Sequence, residues 1–216
     1  MTCRVDTNWT YHGLCAVRLD NKFIAVTVLP ERGANIIDIT DKSRDRNLLW
    51  RSERIKPHAV TLKADFDDHL AGGWDDIFPT GRSCTNEYGD LLPYLGEVWS
   101  IPHDFIVLQD NDDVVQIKTF AKTPITPAYF SRTITLQQDS DEVVFEYEIK
   151  NIGTMPFRFQ WGIHPVFAVT PQSRVILPSK NALVDEWLGG AFGEEGETFQ
   201  WPHHRGSDMR QPFVSH

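Results

Sequence analysis

The stretch EVVFEYEIK, residues 142–150, alternates apolar and polar side chains. One face collects the apolar side chains Val143, Phe145, Tyr147 and Ile149, and the charged side chains Glu146, Glu148 and Lys150 fall on the other. Because successive side chains of a β-strand point to opposite faces, this period of two predicts a strand with one buried face.

Strand-like stretches of the same kind occur on the N-terminal side of this one. They are LCAVRLD (14–20), KFIAVTVL (22–29), ANIIDIT (34–40), VVQIKTF (114–120) and YFSRTITL (129–136). Turn-forming residues such as DNDD (110–113) and QDSD (138–141) separate them. Many short strands with turn signals about every ten residues are typical of a β-sandwich. We therefore predict an all-β, antiparallel β-sandwich that forms a single domain over residues 1–216.

Two segments interrupt the strand pattern. Residues 63–97 are rich in Gly, Asp and Pro, and residues 185–216 are rich in Gly, Glu and His. Loops of this length are usually functional or disordered. We therefore look for a binding site in or beside them.

Charge and composition exclude several classes of partner. The net charge is -9 and the sequence pI is near 5.3, and no long basic run is present, which argues against nucleic acid and anionic membranes. The three cysteines form no CxxC pair and are predicted to be free thiols. The chain shows neither a secretory leader nor an apolar run long enough to span a membrane, so we expect a cytoplasmic protein.

One histidine lies in the apolar stretch FRFQWGIHPVF, residues 157–167. If this stretch is a strand, its large apolar residues share one face and His164 shares the other with Arg158, Gln160 and Gly162. Glycine inside a strand often marks close approach of a ligand or of another backbone. Two interpretations remain open: the face meets solvent and His164 is an ordinary surface residue, or it lines a cleft where an imidazole donates a proton.

Four stretches, taken in order, resemble the aldose 1-epimerase (galactose mutarotase-like) superfamily. They are VTVLPERGANIIDITDKSRDRNLLW (26–50), GGWDDIFPTGR (72–82), LGEVWSIP (95–102) and FEYEIKNIGTMPFRFQWGIHPVF (145–167). The resemblance covers roughly residues 15–180. It implies a twisted β-sandwich of the galactose mutarotase-like supersandwich type, incomplete at the C-terminus, with a sugar site on the concave sheet.

The resemblance also implies a reaction, the interconversion of the α and β anomers of an aldose. A base removes the proton of the anomeric hydroxyl and an acid protonates the ring oxygen, so that neither a metal nor a cofactor is needed. By resemblance His164 is the acid and the partner is a small aldose. The expected sugar contacts are Arg82, Trp74, Asp75, Asp76, Glu97, Trp99 and Gln160. A purely structural role, as a core anchor or in a turn, is the alternative for Trp74, Asp75 and Asp76, and likewise for Glu97 and Trp99.

The chain departs from the family pattern in two places. Leu95-Gly96 stands where the family commonly has His-Gly, and His103 is the nearest substitute. The family's catalytic glutamate lies in a region beyond residue 216, and Glu186, Glu194, Glu195 and Glu197 fall in an acidic loop that is typical of solvated charge. Sugar binding is therefore expected ahead of epimerase activity. The alternatives are a non-catalytic sugar-binding module and an inactive fragment.

Other kinds of site find little support in the sequence. No HxH or HxxxH spacing is present, so no metal site is predicted. The chain has no GxSxG nucleophile elbow and no phosphate-cradling loop with its lysine. The identity of the sugar, recognition of phosphate and the oligomeric state stay open.

Overall fold

The computed structural model describes residues 2–185 and 193–211. The chain divides into two compact units, residues 1–168 and residues 169–216. The organisation of residues 1–216 as one domain stays a prediction. In the part of the chain that is described, no helix has both the length and the apolar character needed to cross a membrane.

The first unit contains thirteen strands among its described residues. The early strands are β1 (Arg4–Tyr11), β2 (Leu14–Asp20), β3 (Ile24–Leu29), β4 (Asn35–Asp41), β5 (Arg46–Asn47), β6 (Trp74–Ile77), β7 (Cys84–Thr85) and β8 (Leu91–Leu92). The later strands are β9 (Asp104–Asp110), β10 (Val114–Lys122), β11 (Ala128–Gln137), β12 (Val144–Asn151) and β13 (Gly162–Pro165). Two 3-10 helices lie at Asp67–His69 and Val98–Ser100.

These strands form two main antiparallel sheets. The larger sheet has the order β1-β2-β3-β4-β6-β13, with β5 beside β4, and the smaller sheet has the order β12-β11-β10-β9. One hydrophobic core joins them, because buried residues such as Val26 and Ile36 of the larger sheet pack with Ile117 and Ile134 of the smaller one. The structure thus confirms the predicted all-β antiparallel sandwich.

The strands with clear alternation were predicted well. Residues 14–20 form β2 as expected, and the expected strands at 114–120, 129–136 and 142–150 correspond to β10, β11 and β12. The expected strand at 157–167 is shorter, since only Gly162–Pro165 has strand structure. Its edge position leaves the preceding residues outside the sheet, although Gln160 N donates a hydrogen bond to Pro79 O.

The predicted loop 63–97 contains strand β6, which brings the sequence WDDI into the larger sheet. Gly72 and Gly73 precede it with φ of +93° and +84°. A Cβ at Gly72 would lie 2.2 Å from Trp50 O, and one at Gly73 would lie 2.6 Å from Ile36 O. The two glycines therefore allow the chain to enter the sheet against neighbouring backbone.

The second unit is built from short hairpins in its described residues. It contains β14 (Asn181–Leu183) paired with β15 (Thr198–Gln200), and β16 (His203–His204) paired with β17 (Ser207–Asp208). The ring of Phe199 stacks on that of His204 with centroids 4.2 Å apart. Cys3, Cys15 and Cys84 of the first unit are unpaired, as predicted.

Candidate functional site

The neighbouring strands β6 and β13 place His164 directly opposite Asp75. Directly opposed residues of an antiparallel pair project to the same face of the sheet. The next residue, Asp76, opposes Ile163 and projects to the other face, toward the smaller sheet. The DD pair of the sequence is thus divided between the two faces of the larger sheet.

On the His164 face, the Asp75 carboxylate is buried among polar partners. Its Oδ1 accepts hydrogen bonds from Asn35 Nδ2 at 2.9 Å and from Arg32 Nη1 at 3.4 Å. Arg32 Nη1 also donates to Trp99 O at 2.6 Å, and its guanidinium lies 4.8 Å from the Trp99 ring centroid. Burial raises the pKa of the Asp75 carboxyl, and the positive charge of Arg32 opposes that rise.

His164 itself is half-buried beside this ion pair. Its ring meets the Phe66 ring edge to face, with centroids 5.3 Å apart. Its Nδ1 is buried and has no hydrogen-bond partner within residues 2–185 and 193–211. A positive charge on the His164 ring would lower the pKa of the Asp75 carboxyl. The contact that holds the imidazole is the edge-to-face packing on Phe66.

On the opposite face, Asp76 belongs to the core between the sheets. Its Oδ2 accepts a hydrogen bond from Arg132 Nη1 at 2.8 Å, and its Oδ1 accepts one from the Tyr147 hydroxyl at 3.0 Å. The side chains of Asp76 and Arg132 are both 1% exposed. Burial is also the main cause that raises the pKa of the Tyr147 phenol. Asp76 thus joins the two sheets through β11 and β12.

The other aromatic and acidic candidates of this region are also turned inward. Glu97 is fully buried, and its carboxylate accepts hydrogen bonds from Ile125 N at 2.6 Å and Thr126 N at 3.0 Å. Trp99 is 1% exposed and packs on Phe66. Like Asp75 and Asp76, these two residues have protein partners in the interior, and none of the four lines the cleft described below.

Trp74 is half-buried and lies on the same face of β6 as Asp76. Its ring packs 4.9 Å from the ring of Phe145, which belongs to β12. The indole therefore fills space between the two sheets, in agreement with the structural alternative for this residue.

A cleft of about 460 Å³ opens beside the start of the predicted histidine strand. We call it the Gln160 cleft; it is lined by Pro79, Thr80, Cys84, Thr85, Asn86, Glu87, Leu92, Arg158, Phe159 and Gln160. Gln160 is thus placed where a ligand has access, whereas His164 does not line the cleft. Arg82 is exposed two residues beyond Thr80, whose Oγ1 donates a hydrogen bond to Arg82 O at 2.7 Å.

The residues considered for the missing catalytic groups lie elsewhere. Leu95 is buried against Phe66 and Trp99, so it packs on the ring that also contacts His164. His103 is buried beside Phe130 of β11, in the interior between the sheets. Glu194, Glu195 and Glu197 belong to the second unit, where Glu197 binds Arg205 at 2.6 Å. Glu186 lies outside the described residues.

Several residues of the site were not predicted from the sequence. Arg32 and Asn35 hold Asp75 across 43 and 40 positions of the chain, so no local pattern connects them. Arg158 and Phe159 could have been found, because they flank Gln160 in the stretch that was singled out. The strand prediction placed Arg158 and Phe159 on opposite faces. In the structure both residues line the same cleft, because the strand begins only at Gly162.

Comparison with known proteins shows likeness of fold. No family model matches the chain. A TPR-domain containing protein from Parabacteroides distasonis superposes with a TM-score of 0.50 at 15% identity, over 65% of this chain and 21% of that one. A galactose mutarotase-like protein from Clostridium acetobutylicum gives a TM-score of 0.44 at 11% identity, over 62% of this chain and 45% of that one. In both comparisons this chain matches less than half of the other protein's length.

Proposed function

We propose that this protein binds a carbohydrate, with the sugar held in the Gln160 cleft. The observation that supports this proposal is the lining of the cleft. Side chains with hydrogen-bonding groups, among them Thr80, Asn86, Arg158 and Gln160, surround it together with the ring of Phe159. A volume of about 460 Å³ is within the range of small-molecule sites.

The chemistry of these groups suits a neutral, hydroxylated ligand. An amide and a guanidinium donate hydrogen bonds to hydroxyls, and an aromatic ring covers the apolar C–H face of a pyranose. Gln160 Oε1 accepts a long hydrogen bond from Gly81 N at 3.3 Å, while its Nε2 makes none within the described residues. That amide group therefore has two donors available for a sugar. The resemblance of the sequence to the aldose 1-epimerase superfamily supports the same class of ligand.

Calorimetric titration with glucose and with galactose tests the binding proposal. We expect Gln160→Ala to weaken sugar binding by about 0.5–1.5 kcal/mol, the usual net value of one hydrogen bond. Gln109→Ala is the matched control, because Gln109 is an exposed glutamine of β9 on the other sheet. Binding that is absent in the wild-type chain, or that both substitutions weaken equally, would refute the proposal.

Epimerase activity is a second candidate function, favoured by one observation. A half-buried imidazole, His164, lies beside a buried carboxylate, Asp75, on the same face of the sheet. A histidine next to a carboxylate is a common arrangement for proton transfer. The optical rotation of fresh α-glucose and α-galactose, followed with wild type and His164→Ala, separates the two functions. Acceleration that His164→Ala abolishes indicates an epimerase, and binding without acceleration indicates a sugar-binding module.

A further inference from the structure

Two histidines outside the candidate site face each other across a loop of the first unit. Nε2 of His58 lies 2.9 Å from Nδ1 of His69, and the ring centroids are 4.9 Å apart. His58 is exposed and His69 is half-buried, so solvent reaches the pair. Eleven residues separate the two in sequence, which explains why short-range histidine spacings gave no sign of this pair.

The hydrogen bonds of the pair fix where its protons lie. His58 Nδ1 is 2.9 Å from Lys56 O, and a carbonyl oxygen only accepts. His58 Nδ1 therefore carries the proton, which leaves a lone pair on Nε2 when the ring is neutral. The proton between the two rings then belongs to His69 Nδ1, and it is the only one that a cation would have to displace.

This arrangement resembles the way proteins prepare a histidine to bind a metal. A ligating imidazole usually donates its other ring N–H to a carboxylate or a backbone carbonyl, which fixes its tautomer and orientation. His58 already does so through Lys56 O. His69 becomes a ligand once its proton moves from Nδ1 to Nε2, a change of tautomer that leaves the ring neutral.

The 2.9 Å between the two nitrogen atoms is the length of the hydrogen bond that joins them, so the lone pair of His58 Nε2 points at His69. The rings have to turn before the lone pairs of both nitrogens converge on one cation. Imidazole nitrogen is a ligand for Ni²⁺, Cu²⁺ and Zn²⁺ alike, so the pair suits a divalent transition-metal cation without selecting among these three.

We propose that His58 and His69 form a two-imidazole binding site for a divalent transition-metal cation. No three His, Cys, Asp or Glu side chains of the described residues gather as ligands, so water completes the coordination shell. Asp65, Asp67 and Asp68 are exposed in the segment just before His69 and give it negative charge. This charge attracts a cation at long range.

The site is connected to the residues around His164. His69 O accepts a hydrogen bond from Arg32 Nη2 at 3.2 Å, and Arg32 binds Asp75. Phe66, which packs on His164, lies in the same loop between the two ligands. A cation that joins His58 to His69 therefore closes residues 58–69 into a loop that fixes Phe66 against the His164 face.

Calorimetric titration of the untagged full chain with NiCl₂ tests this site. We expect one Ni²⁺ per chain, and we expect His58→Gln and His69→Ala each to weaken binding by at least about tenfold, the loss seen when even an outer-shell partner is removed. His203→Ala is the matched control, because His203 is an exposed histidine of the second unit. Circular dichroism checks that each variant is folded, and His58→Gln keeps a hydrogen-bond acceptor near His69.

The outcomes separate clearly. Tenfold or greater weakening of Ni²⁺ binding by both loop substitutions, with His203→Ala unchanged, supports the site. Absence of Ni²⁺ binding to the wild-type chain, or equal binding by wild type, His58→Gln and His69→Ala, overturns it. Because the metal is titrated without sugar, the result is independent of the carbohydrate proposal.

Discussion

His103 is a buried histidine that stays neutral inside the sandwich. Its Nε2 donates a hydrogen bond to Val98 O at 3.1 Å, and its ring lies 6.1 Å from that of Phe130. Burial, reinforced by the positive charge of Arg132, lowers the pKa of His103 to about 3. In the unfolded chain a histidine has a pKa of about 6.5. Between these two values the unfolded state binds a proton that the folded state does not.

This difference gives a prediction for the stability of the protein in acid. The free energy of unfolding is expected to fall as the pH decreases from about 6.5 toward 3, with His103 contributing about 1.4 kcal/mol per pH unit. His103→Gln should remove that part of the slope, measured by urea unfolding at several pH values. His12→Asn, at an exposed histidine, serves as control. An unchanged slope in His103→Gln would contradict the assignment.

Single residues show where prediction from sequence reaches its limit. The alternation in 157–167 correctly separated His164 from Ile163, because opposite faces follow from the backbone of a strand. The same rule divides Asp75 from Asp76, but it does not say which partner each one meets. Those partners, Arg32 and Arg132, are 43 and 56 residues away in sequence. Only the assembled sheets bring them together.

At the level of elements, the turn before the 3-10 helix at Val98–Ser100 depends on one glycine. Gly96 has a φ of +75°, and an added Cβ would lie 2.1 Å from Phe78 O. Gly89 has a similar φ of +89° but has nothing within 4 Å of such a Cβ. A residue with a Cβ would have a strained backbone at both positions, and the two positions differ in the space around the new Cβ.

We therefore expect Gly96→Ala to destabilise the protein more than Gly89→Ala does. Strain alone costs about 1–2 kcal/mol for a residue with a left-handed backbone. Overlap with the Phe78 backbone should add about 1–3 kcal/mol at Gly96. Urea unfolding of both variants measures the difference. Equal losses of stability would show that the chain at Gly96 can move away from Phe78 without cost.

Elements with polar residues on both faces escaped prediction. Strand β6 reads WDDI, and its two carboxylates are buried by ion pairs on opposite faces, so it lacks the alternation of a half-buried strand. Strands β10 and β12 were found because buried or half-buried side chains, most of them apolar, recur at every second position. Because two of its four residues are buried carboxylates, the strand that positions the candidate site was not recognised from the sequence.

At the scale of the whole sandwich, apolar residues of the first unit are exposed at one side, which we call the open side. Strand β13 ends the larger sheet and β12 ends the smaller one. Ile163 of β13 projects toward the face of Asp76, yet it is 45% exposed, and Trp161 beside it is 44% exposed. Exposed edge strands with apolar side chains are templates for pairing with another chain. The fold class follows from the sequence pattern, whereas this open side appears only once the strand order is known.

We expect the first unit to cause concentration-dependent self-association through this edge. Ile163→Lys should shift the protein toward the monomer, because a charge on an edge strand opposes pairing with a second edge. Ile176→Lys is the matched control, since Ile176 is 86% exposed and belongs to the second unit. Size-exclusion chromatography with light scattering, over a range of protein concentrations, measures the effect, and circular dichroism checks the fold. A wild-type chain that is monomeric throughout, or an equal effect of both substitutions, would show that the β13 edge does not drive association.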